Sequence, residues 1–459
     1  MQVLNAKNAA RAKIINGRVS RSLQEDYNQK RRDCNKICRK KKKEIINKRI
    51  EEIEEYSKTN QAKQFYKNID WFRKDYKPRL SGCKDKQGNI LGEEQEIMTR
   101  WTEYYRELLN KESQITTSST EVHLIQTAEP LISKPSMAEV KKATLKMKNY
   151  KAPGEDNITA EMLKNAGTRA EKELYEIISE IWDEETIPEA WNMGIISSVY
   201  KKGDKRDCAN YRGITLLNIA YKVFSNILLS RLSAYAEEII GEYQCGFRRG
   251  RGTTDQIFIV RQSLEKCYEY TTDLHMLFID FKQAFDSIVK ESLFMYMEQK
   301  GIPKKLVRLI KMTLINAKAR VLVDGYCGEE FNLNRGVRQG DALSATLFNL
   351  TLHCVLESIV DNGIITYKSK HLCAYADDIV IMARNINELK EVFLKLISAA
   401  QQLGLEINCQ KTKYMIISAE ERRRHRNNIT VENMTFENVD SFVYLGSEIN
   451  NRNKFSSDI

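Results

Sequence analysis

The sequence predicts an α+β protein, and three stretches carry that expectation. In segment 371–384 apolar residues flank a bare acidic pair, which reads as two short strands joined by a turn holding Asp377 and Asp378. Upstream, the apolar run Met276-Leu277-Phe278-Ile279 ends at Asp280 and reads as a third strand end. Helical patterns such as 137–148 and 387–403 stand before and after these strands.

Adjacent carboxylates are costly to bury unless a cation neutralises them. Three carboxylates at neighbouring strand ends make a hard, all-oxygen site suited to Mg²⁺. Two such ions can activate a 3′-hydroxyl and stabilise a leaving pyrophosphate. An Asp-Asp pair taken alone is more often a solvated hairpin. Asp280 and the segment 336–340 move the reading from a hairpin to a site.

Hydrophobic content of 42% and charged content of 29% describe a globular chain, and 459 residues suffice for two or three domains. Lys and Arg number 73 against 62 Asp and Glu, a formal charge of +11 that favours a polyanionic partner. No apolar run is long enough to span a membrane, and the first residues show no signal-peptide apolar core. The ten cysteines are scattered, as expected of reduced thiols in an intracellular protein. Cys34 and Cys38 read as helix positions, without the second ligand pair that zinc needs.

Residues 1–60 read as one long helix with a basic run, 31–43, that ends in Lys40, Lys41, Lys42 and Lys43. The run is either a solvated face or a phosphate-binding arm whose affinity falls with salt. It also matches the pattern of a nuclear address. Residues 1–110 thus form a basic helical N-terminal extension, and 111–141 a polar linker that includes 114–120. Trp71 and Trp101 fall in apolar patterns and read as core.

A helix at 137–148 leads to the turn Lys151-Ala152-Pro153-Gly154, followed by helices at 160–165 and 169–184. Residues 191–204 read as a strand entering a basic turn, 210–217 as a second strand, and the next helix runs to 238. This flap presents Lys201, Lys202 and Arg212 either to a phosphate chain or merely to solvent. The Gly- and Arg-rich segment 242–252 offers Arg248 and Arg249 to a nucleic-acid backbone.

Segment 276–287 is strand-to-helix and holds Asp280, Phe285 and Asp286. A helical stretch, 290–316, breaks at Gly301-Ile302-Pro303, and a strand then enters a hairpin at Asp324-Gly325. Segment 335–344 opens a long apolar helix. Its glycines and Gln339 suit close backbone approach to a ligand, or an ordinary helix cap. After the acidic turn come a helix ending near Gly404, a strand at 414–417, a basic patch at 422–426, and short strands at 429–431 and 442–445.

In this order the motifs resemble a reverse transcriptase of a non-LTR (LINE-type) retrotransposon, over about 142–446. The matching residues are Lys151-Ala152-Pro153-Gly154, Asn210-Tyr211-Arg212, Gln244 to Arg248, Phe278 to Asp286, Gly336 to Asp341, Tyr375 to Asp378, Leu403 to Lys411, and Tyr444-Leu445-Gly446. The resemblance implies a right-hand polymerase with an antiparallel palm sheet. Fingers would occupy 142–266, the palm 267–446, and a truncated start of the thumb 447–459. Asp280, Asp377 and Asp378 would be the catalytic carboxylates holding two Mg²⁺ ions, with Mn²⁺ as a substitute.

By the same resemblance Gln339 and Gly340 would line the incoming nucleotide. Lys411 would sit near the triphosphate as a proton donor, and Lys201 and Arg212 would hold the triphosphate from the fingers. Phe285 would lie against the sugar's C2′ edge, and Tyr444 and Gly446 would belong to the primer grip. The implied activity is RNA-directed DNA synthesis, with an RNA template, a DNA primer or target and dNTPs as partners. A nuclear location with a cytoplasmic phase follows, no membrane is involved, and the oligomeric state stays open. No endonuclease chemistry is recognisable, so the expectation is a partial copy lacking most of the thumb. Cys245 and Gly213 depart from the family, standing where many relatives have an aromatic and a proline. The other reading is a nucleic-acid-binding remnant without turnover. An intron-type maturase is disfavoured by Lys151-Ala152-Pro153-Gly154, and an RNA polymerase by Phe285.

Overall fold

The computed structural model describes residues 2–16, 20–59, 82–111, 132–357, 359, 370–418, 420 and 427–453. Trp71, the 114–120 stretch and the 422–426 basic patch lie outside them. In chain order the strands are β1 (Cys83–Lys84), β2 (Ile90–Leu91), β3 (Met193–Tyr200), β4 (Tyr211–Leu216), β5 (Leu274–Ile279), β6 (Lys318–Val323), β7 (Tyr326–Cys327) and β8 (Phe331–Asn332). They continue with β9 (Lys370–Tyr375), β10 (Asp378–Ala383), β11 (Lys413–Ile417), β12 (Ile429–Val431), β13 (Met434–Asn438), β14 (Ser441–Tyr444) and β15 (Ser447–Asn450). The chain divides into two units: 1–105, 198–213 and 321–329 form one, and 106–197, 214–320 and 330–459 form the other.

The second unit is built on a six-stranded sheet in the order β12-β13-β11-β5-β10-β9. β5 runs antiparallel to both β10 and β11. All six of its residues are buried, which explains why its sequence is apolar at every position but His275, whose ring nitrogen is hydrogen-bonded to the Tyr414 hydroxyl at 2.6 Å. Successive side chains enter opposite cores, as the strand pleat requires. Leu277, Ile279, Ile379 and Ile381 join a large cluster with Leu228, Leu347, Phe348 and Phe393. Met276, Phe278, Val380 and Met382 join a second cluster with Val260, Leu264, Tyr444 and Ile449. Each such buried Leu, Ile or Phe contributes roughly 1.5–3 kcal/mol, so the middle of the sheet is rigid and its strand ends are free to carry polar groups.

The first unit contains the basic N-terminal segment. It forms two helices, Gln2–Asn16 and Arg21–Lys58, in place of the single helix expected. Ser20 starts the second helix, its hydroxyl accepting from the Leu23 N–H at 3.3 Å, which is the usual work of an N-cap serine. In the same unit Trp101 is buried against Tyr105 and Tyr211, with ring centroids at 6.0 and 5.0 Å. Asp324 and Gly325 both take positive φ, 50° and 94°, the signature of the two-residue hairpin turn that the sequence predicts.

Candidate active site

Asp280 follows the last residue of β5, and Asp378 is the first residue of β10. Ile279 pairs with Ile379, so continuing the antiparallel register by one step sets Asp378 across from Asp280. On the other side Lys413 pairs with Phe278, and the same continuation brings Lys411 beside Asp280. The Lys411 ammonium stands 3.4 Å from an Asp280 carboxylate oxygen, with both side chains partly exposed. Backbone bonds fix this neighbourhood. The Asp280 N–H donates to the Thr412 hydroxyl at 3.2 Å, and the Asn408 N–H to the Asp280 carbonyl at 2.8 Å.

Asp377 occupies the turn between β9 and β10. Tyr375 pairs with Asp378, leaving Ala376 and Asp377 as the two central residues, and Ala376 takes a positive φ of 54°. That conformation is unfavourable for a residue with a Cβ. Gln244 holds it in place. Its side-chain oxygen accepts from the Ala376 N–H at 2.9 Å and from the Gly246 N–H at 2.8 Å, and the residue is 1% exposed. The Cys245 N–H donates to the Ala374 carbonyl and the Ala374 N–H to the Tyr243 carbonyl, each at 2.9 Å. A Cβ on Gly246 would come within 2.2 Å of the Ala376 nitrogen, so only glycine permits this approach. The sequence marks Gln244 only as part of a motif. Its contact with the acidic turn had no local signal.

Segment 336–341 packs under the strand-to-helix turn. The Val337 N–H donates to the Phe285 carbonyl at 2.9 Å, and the Gly336 N–H to the Ile288 carbonyl at 2.8 Å. The Gln339 amide nitrogen donates to both Asp286 carboxylate oxygens, at 3.0 and 2.9 Å. Burial pushes the Asp286 carboxyl up to about 7, against the pull of these hydrogen bonds. A Cβ on Gly340 would meet the Thr215 carbonyl at 2.4 Å. Asp341 is buried and accepts from the Tyr221 and Ser225 hydroxyls. The Arg338 guanidinium lies 3.7 Å from it and 4.4 Å from the Tyr221 ring centroid. This network serves the core.

Phe285 is half-buried, stacked on the buried Phe348 at 4.5 Å and met edge-on by the exposed Phe247 at 6.1 Å. Arg248, expected at a nucleic-acid backbone, is turned inward instead. Its guanidinium binds the Glu237 carboxylate at 2.6 Å and the carbonyls of Gly241 and Gln244 at 2.8 and 3.0 Å. A carboxylate and two carbonyls in reach give the buried guanidinium charge-assisted bonds that offset its desolvation. Arg249 next to it is exposed. Tyr444, assigned by resemblance to the primer grip, is 2% exposed, its ring 5.9 Å from that of Phe278. Gly446 takes a φ of 88° in the β14–β15 turn. Lys40, Lys41, Lys42 and Lys43 are exposed on helix Arg21–Lys58 of the first unit. Lys201 and Arg212 are exposed on the β3–β4 hairpin of that unit, where the Lys201 N–H donates to the Asn210 carbonyl at 2.9 Å.

The donor set at the strand ends suits a hard divalent cation, and an ammonium already lies against one carboxylate. Among the described residues no group of three or more His, Cys, Asp or Glu side chains forms a ready metal cage. Mg²⁺ does not require one, since it usually takes one or two carboxylates together with water and substrate phosphates.

The strand-end carboxylates beside Lys411 and the glycine-containing segment packed on the Phe285 turn lie on an α+β scaffold. Residues 199–449 match the family model described as reverse transcriptase (RNA-dependent DNA polymerase), and the chain belongs to this family, with its right-hand fold class. The relatives it resembles are polymerases of non-LTR retrotransposons. The probable RNA-directed DNA polymerase from transposon X-element of Drosophila melanogaster is 27% identical over 330 residues, 70% of this chain and 36% of that protein. The RNA-directed DNA polymerase from mobile element jockey of the same fly is 24% identical over 342 residues, 72% of this chain and 36% of that protein. The retrovirus-related Pol polyprotein from type-1 retrotransposable element R2 of Nasonia vitripennis is 26% identical over 227 residues, 49% of this chain and 22% of that protein. The chain therefore spans little more than a third of the length of these relatives, or less. Among solved structures, apo telomerase from Candida tropicalis is similar with a TM-score of 0.41 and 13% identity, over 64% of this chain and 65% of that one.

Two outcomes follow from this geometry. Gln244→Leu orphans two buried N–H groups and frees the acidic turn. It is expected to lower the kcat of primer extension roughly tenfold to hundredfold with little change in nucleotide KM. An unchanged kcat would show that the turn needs no clamp. The second outcome concerns Asp286. Unfolded, this carboxyl loses its proton near 3.8, whereas the fold keeps it to about 7. Between those values the unfolded chain binds fewer protons, so the side chain's contribution to stability falls as pH rises. Urea unfolding at about pH 4.5 and about pH 7.5 should show Asp286→Asn gaining on the wild type at the higher pH. A stability difference independent of pH would contradict the buried carboxyl.

Proposed function

We propose that the chain is an RNA-directed DNA polymerase that adds dNTPs to a primer 3′-hydroxyl on an RNA template, as in non-LTR retrotransposition. The observation that carries this reading is the register that sets Asp280 across from Asp378, next to Asp377 and 3.4 Å from Lys411, within residues that match the family. Magnesium held by these carboxylates, with manganese as a substitute, would supply two-ion activation of the 3′-hydroxyl and charge neutralisation at the phosphates. Asp280, Asp377 and Asp378 orient that charge, and the rigid sheet behind them keeps their spacing fixed. Lys411 is the local proton donor for the departing pyrophosphate. Gln339 and Gly340 line the nucleotide's path. The Phe285 ring offers a 2′-hydroxyl no hydrogen-bond partner, which costs a ribonucleotide roughly 1–3 kcal/mol before any clash.

Primer extension on a poly(rA)·oligo(dT) duplex tests the assignment. The wild-type chain should extend with dTTP in Mg²⁺. Asp280→Asn and Asp377→Asn should abolish extension without unfolding the chain. Phe285→Ala should raise use of UTP relative to dTTP about tenfold to hundredfold. A wild-type chain that binds the duplex and never extends it would establish the binding remnant instead. Wild-type rates in Asp377→Asn would overturn the carboxylate roles.

A further inference from the structure

Asp286 is an anomaly at the margin of a packed core. Its carboxyl is half-buried and closely surrounded, and the side chain it meets is the Gln339 amide, which donates to both oxygens at 3.0 and 2.9 Å. Burying a carboxyl against a neutral amide costs stability that an apolar side chain in its place would not. Costly ionisable groups of this kind concentrate where position matters.

The pair adds a polar side-chain tie between two segments that also meet through backbone hydrogen bonds. Asp286 directly follows Phe285, and its own N–H donates to the Gln283 carbonyl at 2.9 Å, closing the turn that carries the ring. Gln339 is anchored on its far side, where its carbonyl accepts from the Thr215 N–H at 2.6 Å. Gly336 lets the two segments touch, since a Cβ there would come within 2.7 Å of the Asp286 backbone. Phe285 has a fixed neighbour on one face, Phe348, while Phe247 at its edge is exposed. The ring's height over the site is therefore set by the turn beneath it and by what holds that turn to segment 336–340.

We infer that Asp286 is a positioning residue for sugar selection: by clamping the Gln339 amide it locks the Phe285 ring and the nucleotide-lining segment into one rigid unit. The inference rests on the proposed polymerase reading and adds to it a residue whose bonds go to Gln339 and to its own turn. A loosened clamp lets the ring give way to a 2′-hydroxyl. Discrimination then falls while the strand-end carboxylates, held by other bonds, stay in place.

A double-mutant cycle with Asp286→Ala and Gln339→Met tests this, read as the ratio of kcat/KM for dUTP to that for UTP on the same primer–template. Each single variant should lower the ratio about threefold to tenfold, the worth of one or two hydrogen bonds. The double variant should be no worse than Gln339→Met alone, because with the amide gone Asp286→Ala removes no further contact, and any direct effect of Gln339 on the nucleotide is common to both. Asp286→Asn keeps the shape and one acceptor, so it should fall between wild type and Asp286→Ala; it decides the matter if the alanine variant does not fold. An unchanged ratio, equal losses for both nucleotides, or additive effects would overturn the inference. Equilibrium binding of dUTP and UTP to the full chain on a chain-terminated primer–template gives the same ratio without turnover. A wild-type chain that fails to extend would thus sink the polymerase reading while the binding preference still decides the role of Asp286.

Discussion

The antiparallel pairing of β5 with β10 is the constraint on which the rest depends. It sets Asp378 across from Asp280 and leaves Asp377 in the turn. A slip of one residue would turn every side chain of β10 to the opposite face. Ile379 and Ile381 would leave one core, and Val380 and Met382 the other. Both faces of β10 past Asp378 are buried and apolar, so a slip would keep the burial but force differently shaped side chains into two close-packed cores. Side-chain fit along the strands thus sets where the charges stand at their ends.

Around that pair the molecule uses charge in two ways. Buried charges such as Asp341, which accepts from Tyr221 and Ser225, and Arg248, which donates to the exposed Glu237 and two carbonyls, hold loops to the core. The Lys411–Asp280 pair is different, since both side chains are partly exposed and their bond is long, at 3.4 Å. An ion pair of this kind is worth little as a structural bond. It is easily rearranged when a phosphate or a cation arrives, which suits a place where charge must move.

Much of this was legible in the chain itself. The acidic hairpin, the strand before Asp280, the helix break at Gly301-Ile302-Pro303 and the hairpin at Asp324-Gly325 all follow from short-range chemistry. What escaped depends on distant partners. Gln244 reads as a motif residue with no assigned partner until the fold brings it to Ala376, 132 positions away. Arg248 looks like a surface cation because its sequence neighbours are arginines, yet Glu237 and two carbonyls draw it inward. Asp286 lies inside a recognisable motif, but its contact with Gln339 arises from segments 53 positions apart. The split of the basic N-terminal segment at Ser20 was a local signal, and it was masked by the strong helical charge pattern on either side.

The central claim is that the strand-end carboxylates form a divalent-cation site together with an incoming nucleotide. Mn²⁺ binding to the full chain tests it most directly, measured by electron paramagnetic resonance with a chain-terminated primer–template and dTTP present. About two bound Mn²⁺ ions per chain are predicted, falling sharply in Asp280→Asn and in Asp377→Asn. Equal Mn²⁺ binding by the wild type and both variants would contradict the account.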